Sequence, residues 1–187
     1  MKKLYFVVIV VFFAVNTSLS QTIFKGLSYG MSKKEAKTEY SSNENAYVNV
    51  DLGNGFIWKL FPFGFKYDDK KLIFIVFQPK GSLLGISHDN TMTYLEVTKA
   101  FFESKGYNVF YQPDNWQYPL LFHSKYGLLM FNTDKTVMVQ LFPATFKQSN
   151  GTTTYLPYLK VMNYDWFMKD YNNQLNVLTE KRENTGF

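Results

Sequence analysis

The chain has 187 residues, of which 46% are hydrophobic and 19% charged, a globular balance that excludes disorder as the default state. Its formal charge of +5 is too mild to imply an anionic partner. The absence of cysteine excludes disulfides, thiolate nucleophiles, thiolate metal ligands and a lipid-accepting cysteine.

Met1-Lys2-Lys3 is a short positive segment, Leu4 to Val15 an unbroken apolar run, and Asn16 to Ser20 a polar, small-residue stretch. This is the pattern of a secretory signal peptide. As a helix the run reaches only about 18 Å, short of the roughly 30 Å hydrocarbon core, so no stable membrane span is expected after leader removal. Ser18 and Ser20 supply the small side chains that precede a cut, which places cleavage after Ser20 and assigns 1–20 to the signal peptide. A secreted or periplasmic protein is expected. The remaining about 167 residues are the size of one domain or two small fused modules, and burial alone must hold them together.

Ser32-Lys33-Lys34-Glu35 is a capping box, in which hydroxyl and carboxylate each satisfy the other residue's amide. It predicts a helix from Lys33 to about Tyr40. Ser41 to Asn45 is polar and loop-like, and Tyr47 to Leu52 alternates as a half-buried strand. Gly53-Asn54-Gly55 is a hairpin signal leading to a partner strand, Phe56 to Phe61. Pro62 ends or bends that ladder, Phe63 to Tyr67 resumes it, Asp68 to Lys71 is a charged turn, and Leu72 to Phe77 is an apolar strand. Pro79 to Gly85 is a connector. A second helix opens near Asp89, Asn90 or Thr91 and closes at Gly106, with Met92, Leu95 and Phe102 on one stripe and Tyr94, Val97 and Phe101 beside it.

Strands are then expected at Asn108 to Gln112, Leu120 to His123, Leu128 to Asn132 and Thr136 to Phe142. Asp69-Lys70 with Leu72 and Phe77 matches Asp134-Lys135 with Val137 and Phe142 at one constant spacing, which suggests an internal repeat. Tyr155 to Met162 reads as a strand, and Asn163 as the cap of a last helix carrying Tyr164, Phe167, Tyr171, Leu175 and Leu178 at three-and-four spacing. The expected class is α+β, with two successive helix-plus-antiparallel-sheet units and a C-terminal helix. The first unit spans 21–80, the second 86–143, and 144–187 forms a strand and helix packing on the sheet.

The segment Gly30-Met31-Ser32-Lys33-Lys34-Glu35-Ala36 resembles the start of the first helix in small exported α/β proteins of the SmpA/BamE type. The doubled helix-plus-strands layout resembles the tandem arrangement of beta-lactamase-inhibitor-like proteins. This resemblance implies an envelope protein that binds other proteins and has no catalytic centre. BamE-type proteins are anchored through a lipidated cysteine, which is missing here, so a role in outer-membrane assembly does not carry over.

The chain has no Gly-rich phosphate loop, no His-Glu-x-x-His, no Gly-x-Ser-x-Gly and no calcium-loop pattern. Its only histidines are His88 and His123, so any His-based general base must be His88 with Asp89, or His123. The plainer role for Asp89 is a helix cap. Asp68 and Asp69, flanked by Lys70 and Lys71, read as a solvated turn rather than a glycosidase pair. Lysines are dispersed and Arg182 is the single arginine, so no nucleic-acid partner is expected.

Aromatic residues reach 19%, and most must be core. Asn115, Trp116 and Tyr118 stand apart, in a loop bracketed by Pro113 and Pro119 that could present rigid anchors. The expectation is an exported non-catalytic binding module for another protein in the envelope or extracellular space, with Trp116, Tyr118 and Asn115 as the binding residues. No cofactor and no metal are expected. The alternatives are a glycan-binding module and an envelope hydrolase using His88 with Asp89, or His123.

Overall fold

A computed structural model describes residues 21–53, 55–81, 86–112 and 127–185. The order is β1 (Thr22–Phe24), β2 (Leu27–Ser28), α1 (Lys33–Ser42), α2 (Glu44–Val48), β3 (Val50–Asp51), β4 (Ile57–Asp68), β5 (Lys71–Pro79) and α3 (His88–Ser104). It continues with β6 (Asn108–Tyr111), β7 (Leu128–Phe131), β8 (Val137–Lys147), β9 (Thr153–Asn163) and α4 (Tyr164–Thr185). The fold is α+β. One seven-stranded sheet runs β3-β4-β5-β9-β8-β7-β6, every neighbouring pair antiparallel. The last strand in sequence therefore lies between β5 and β8, with three earlier strands on either side of it.

Local chemistry sets several boundaries. The Ser32 hydroxyl accepts from the Glu35 amide at 3.3 Å, and the Glu35 carboxylate accepts from the Ser32 amide at 2.7 Å, so the capping box forms and starts α1. Asp69 (φ 43°) and Lys70 (φ 62°) both sit in the left-handed region, the paired conformation a two-residue hairpin between twisted strands requires. Pro62 leaves β4 unbroken and bends it: the β4–β5 register shifts between Leu60 and Phe65, and Phe63 stands 94% exposed in the bulge. The Asn163 side chain accepts from the Trp166 amide at 2.8 Å and opens α4.

Two expectations are corrected. Residues 47–52 are not one strand: Glu44–Val48 is helical and only Val50–Asp51 pairs with β4. Tertiary packing overrides the alternation, because Tyr47 is buried, stacked 5.7 Å from Tyr40 and donating its hydroxyl to Glu39 at 2.8 Å. The second helix opens earlier than expected, and its cap is Ser87 rather than Asp89. The Ser87 hydroxyl accepts from the Asn90 amide at 3.2 Å, leaving Asp89 exposed in the first turn.

The sheet has two differently covered faces. α1, α2, α3 and the β1–β2 hairpin cover one, over Trp58, Leu60, Ile75, Phe77, Leu128, Val139, Leu141, Leu159 and Val161. Across this core the Trp58 indole donates to the Thr98 hydroxyl of α3 at 3.1 Å. On the opposite face α4 packs Phe167 and Tyr171 against Leu129, Met138 and Met162.

Candidate functional site

Antiparallel pairing sorts the α4 face into rungs, because directly paired residues point to the same side. Phe74, Met162, Met138 and Phe131 form one rung, and all four belong to the apolar cluster that α4 packs on. The next rung is Val76, Lys160, Gln140 and Leu129. Beyond it Tyr158 pairs with Phe142, their rings stacked 5.3 Å apart at 11°. The face thus changes from wholly apolar under α4 to mixed, with Lys160 at mid-sheet. Burial holds the Lys160 ammonium down, to about 8, and the Asp170 carboxylate on α4 opposes that shift. Burial also pushes the Tyr158 phenol up, while a bond with Gln78 pulls the other way.

Where α4 begins, its first turns stand over the β4–β5 turn and the start of α1. Gly30 and Met31 bridge to β5 through two backbone bonds, Gly30 N–H to Leu72 at 2.9 Å and Leu72 N–H to Met31 at 2.7 Å. Gly30 makes that approach at φ 86°, a conformation side chains disfavour. Together these segments enclose an open groove of about 1010 Å³. Tyr29, Met31 and Trp166 give it apolar walls, the last packed 5.8 Å from Phe74. Its charged rim is Glu35, Asp68, Asp165 and Asp170 against Lys71 and Lys169, so carboxylates outnumber ammoniums. The Ser32 amide and then the Ser32 hydroxyl hold the Glu35 carboxyl below its ordinary range. Among the described residues no three His, Cys, Asp or Glu side chains gather into a group able to hold a metal ion.

Asn115, Trp116, Tyr118 and His123 lie outside the described residues, as does the strand expected at Leu120 to His123. His88 and Asp89 are adjacent on the first turn of α3, with Nδ1 3.4 Å from Oδ1 and side chains 54% and 98% exposed. The imidazole edge rests on Tyr155 at 5.0 Å, and neither residue lines the groove. Sequence reasoning missed the groove because four separate segments build it. For Lys160 a signal existed: it is the one charged residue inside the apolar run Tyr155 to Met162, and alternation places it with Tyr158 and Met162.

No protein-family model, no curated protein and no solved structure matches this chain, so its function has to be argued from its own residues. Among the described residues no helix is long and apolar enough to cross a membrane.

Proposed function

We propose that this protein is an exported, non-catalytic binding module that takes a segment of another protein, in the cell envelope or outside the cell, into the groove beside α4. The observation that carries this reading is the composition of the groove. An open space of about 1010 Å³ with Tyr29, Met31 and Trp166 on its walls and a net acidic rim suits an extended segment pairing lysine or arginine with an apolar side chain. The leader-like first twenty residues support export. The hydrolase alternative draws little support from His88 and Asp89, whose side chains are 54% and 98% exposed on the first turn of α3 and do not line the groove. Trp166 gives the glycan variant its one foothold here, since an indole face can stack on a sugar ring.

Selection from a random-peptide display library on the purified protein tests the reading. Recovered peptides are expected to carry Lys or Arg beside an aromatic or aliphatic residue. They should bind the Asp68→Lys, Asp165→Lys double variant at least about ten-fold more weakly, a difference of ~1.4 kcal/mol. Equal binding to that variant would remove the groove from the reading, and displacement of the peptides by soluble polysaccharide would move the assignment to glycans.

A further inference from the structure

Lys160 lies on the strand that joins the two halves of the sheet, at a position where apolar side chains are the rule. A lysine there is ordinarily paired. Among the described residues its ammonium makes no ion pair and no hydrogen bond; its neighbours are ring faces, with Nζ 4.7 Å from the centroid of Phe74 and 5.9 Å from that of Phe142. The acid that acts on it, Asp170, already accepts from the Gln174 amide at 2.6 Å. Around the ammonium the rungs place Val76 and Gln140 on either side, Met162 below and Tyr158 above.

We propose that this part of the sheet face is a binding site for a small amphiphilic monocarboxylate, with Lys160 receiving the carboxylate and Phe74, Val76 and Phe142 bedding the apolar body. The site lies beside the groove and shares Asp170 with its rim, but does not depend on peptide capture there.

Three features select this ligand class. A half-buried cation that no carboxylate among the described residues reaches as an ion pair is a cost that an incoming anion offsets, and the bond it forms is charge-assisted and only partly screened. Lys160 is the one ammonium on its rung, beside the Gln140 amide, with Lys66 a strand away next to Phe74; one ammonium at the head of the site matches one negative charge rather than the two of a phosphate ester. The flanking side chains are aromatic and aliphatic, and a few polar groups set in a mostly apolar surface are the usual make-up of a small-molecule site.

The charge on Lys160 makes binding pH-dependent. Among the described residues the groups that face it are Asp170 from α4 and Tyr158 from its own strand; β5 and β8 contribute Phe74, Val76, Gln78, Met138, Gln140 and Phe142, none of which titrates. Lys59 and Lys66 share the sheet face from β4, one strand further out. Carboxylates titrate far below the window from about pH 7 to about pH 9.5, and Tyr158 is held above its ordinary value, so within that window Lys160 changes state first. Deprotonation removes the partner of the carboxylate and weakens binding as pH rises.

Calorimetric titration of the protein with sodium dodecanoate, and with dodecanol as the uncharged analogue, tests the site. Dodecanoate is expected to bind at least about ten-fold more tightly than dodecanol near pH 7 and to lose that advantage near pH 9.5. Lys160→Met, whose thioether fits beside Met138 and Met162, should abolish the advantage, and Lys160→Arg should retain it. Dodecyl phosphate binding as tightly as dodecanoate would overturn the monocarboxylate assignment. Equal affinity for dodecanoate and dodecanol in the unaltered protein, or an advantage unchanged by pH, would overturn the site itself. Those last two readouts need no variant, so a folding failure of Lys160→Met would not shelter the proposal.

Discussion

On α3 two threonines occupy the buried stripe where leucines would be expected, and they differ in one respect. The Thr98 hydroxyl accepts from the Trp58 indole at 3.1 Å, joining α3 to the centre of β4. The Thr91 hydroxyl is equally buried and has no partner among the described residues. An unmade bond in an apolar interior costs free energy, while a made one contributes about 1 kcal/mol. The same substitution should therefore act in opposite directions at the two sites. Thr91→Val is expected to stabilise the fold by about 1 kcal/mol, because it keeps the branched shape and removes the orphaned hydroxyl. Thr98→Val is expected to cost about 1–3 kcal/mol, since it strands the indole N–H in the core. Denaturant midpoints of the two variants check this, and shifts of the same sign would contradict it.

α1 depends on its capping box more than on its face, because of its ten residues only Ala36 and Tyr40 are buried. The Glu35 carboxyl titrates below its ordinary value of 4.5 because two Ser32 groups hold its ionised form. A depressed acid contributes stability that is present above the unfolded value and is lost as pH falls through the folded one. Helical chemical shifts over residues 33–42 should accordingly weaken below about pH 4.5 in the unaltered protein. Glu35→Gln should start weaker and show no such step; an identical acid profile would break the link between the box and the helix. Such elements were legible in the sequence because their causes are local: the Ser32 box, the Asp69-Lys70 turn and the Asn163 cap each act within a few residues. Residues 44–52 were misread because Tyr47 follows distant partners, Phe24 at 6.4 Å among them, rather than its own alternation. The groove had no local cause at all, and of the surroundings of Lys160 alternation gives only Tyr158 and Met162, because the groove and the cross-strand partners exist only after β9 has entered between β5 and β8.

That insertion governs the behaviour of the whole molecule. β9 pairs along its full length with β8 and through Leu159 to Met162 with β5, so its side chains complete the core on both sides of it. α3 reinforces the join: its Tyr94 ring meets Phe56 at 4.5 Å and Trp58 at 5.7 Å, while the helix also packs on β8 and β9. A single apolar cluster consequently holds residues from β4 and β5 together with residues from β7 and β8. Interfaces of this kind couple the stability of the parts they join. We therefore expect the strands on either side of β9 to unfold in one cooperative step, even though the sequence suggests a repeat. Leu159→Ala is the informative change, because Leu159 is buried between Phe77 of β5 and Leu141 of β8. It should cost about 2–5 kcal/mol. Followed by amide resonances in urea, β4–β5 and β7–β8 should melt at one shared midpoint in the parent and at one lower shared midpoint in the variant. A midpoint that moves on one side of β9 only would show that the two strand groups are stable units in their own right, with β9 bridging them without coupling them.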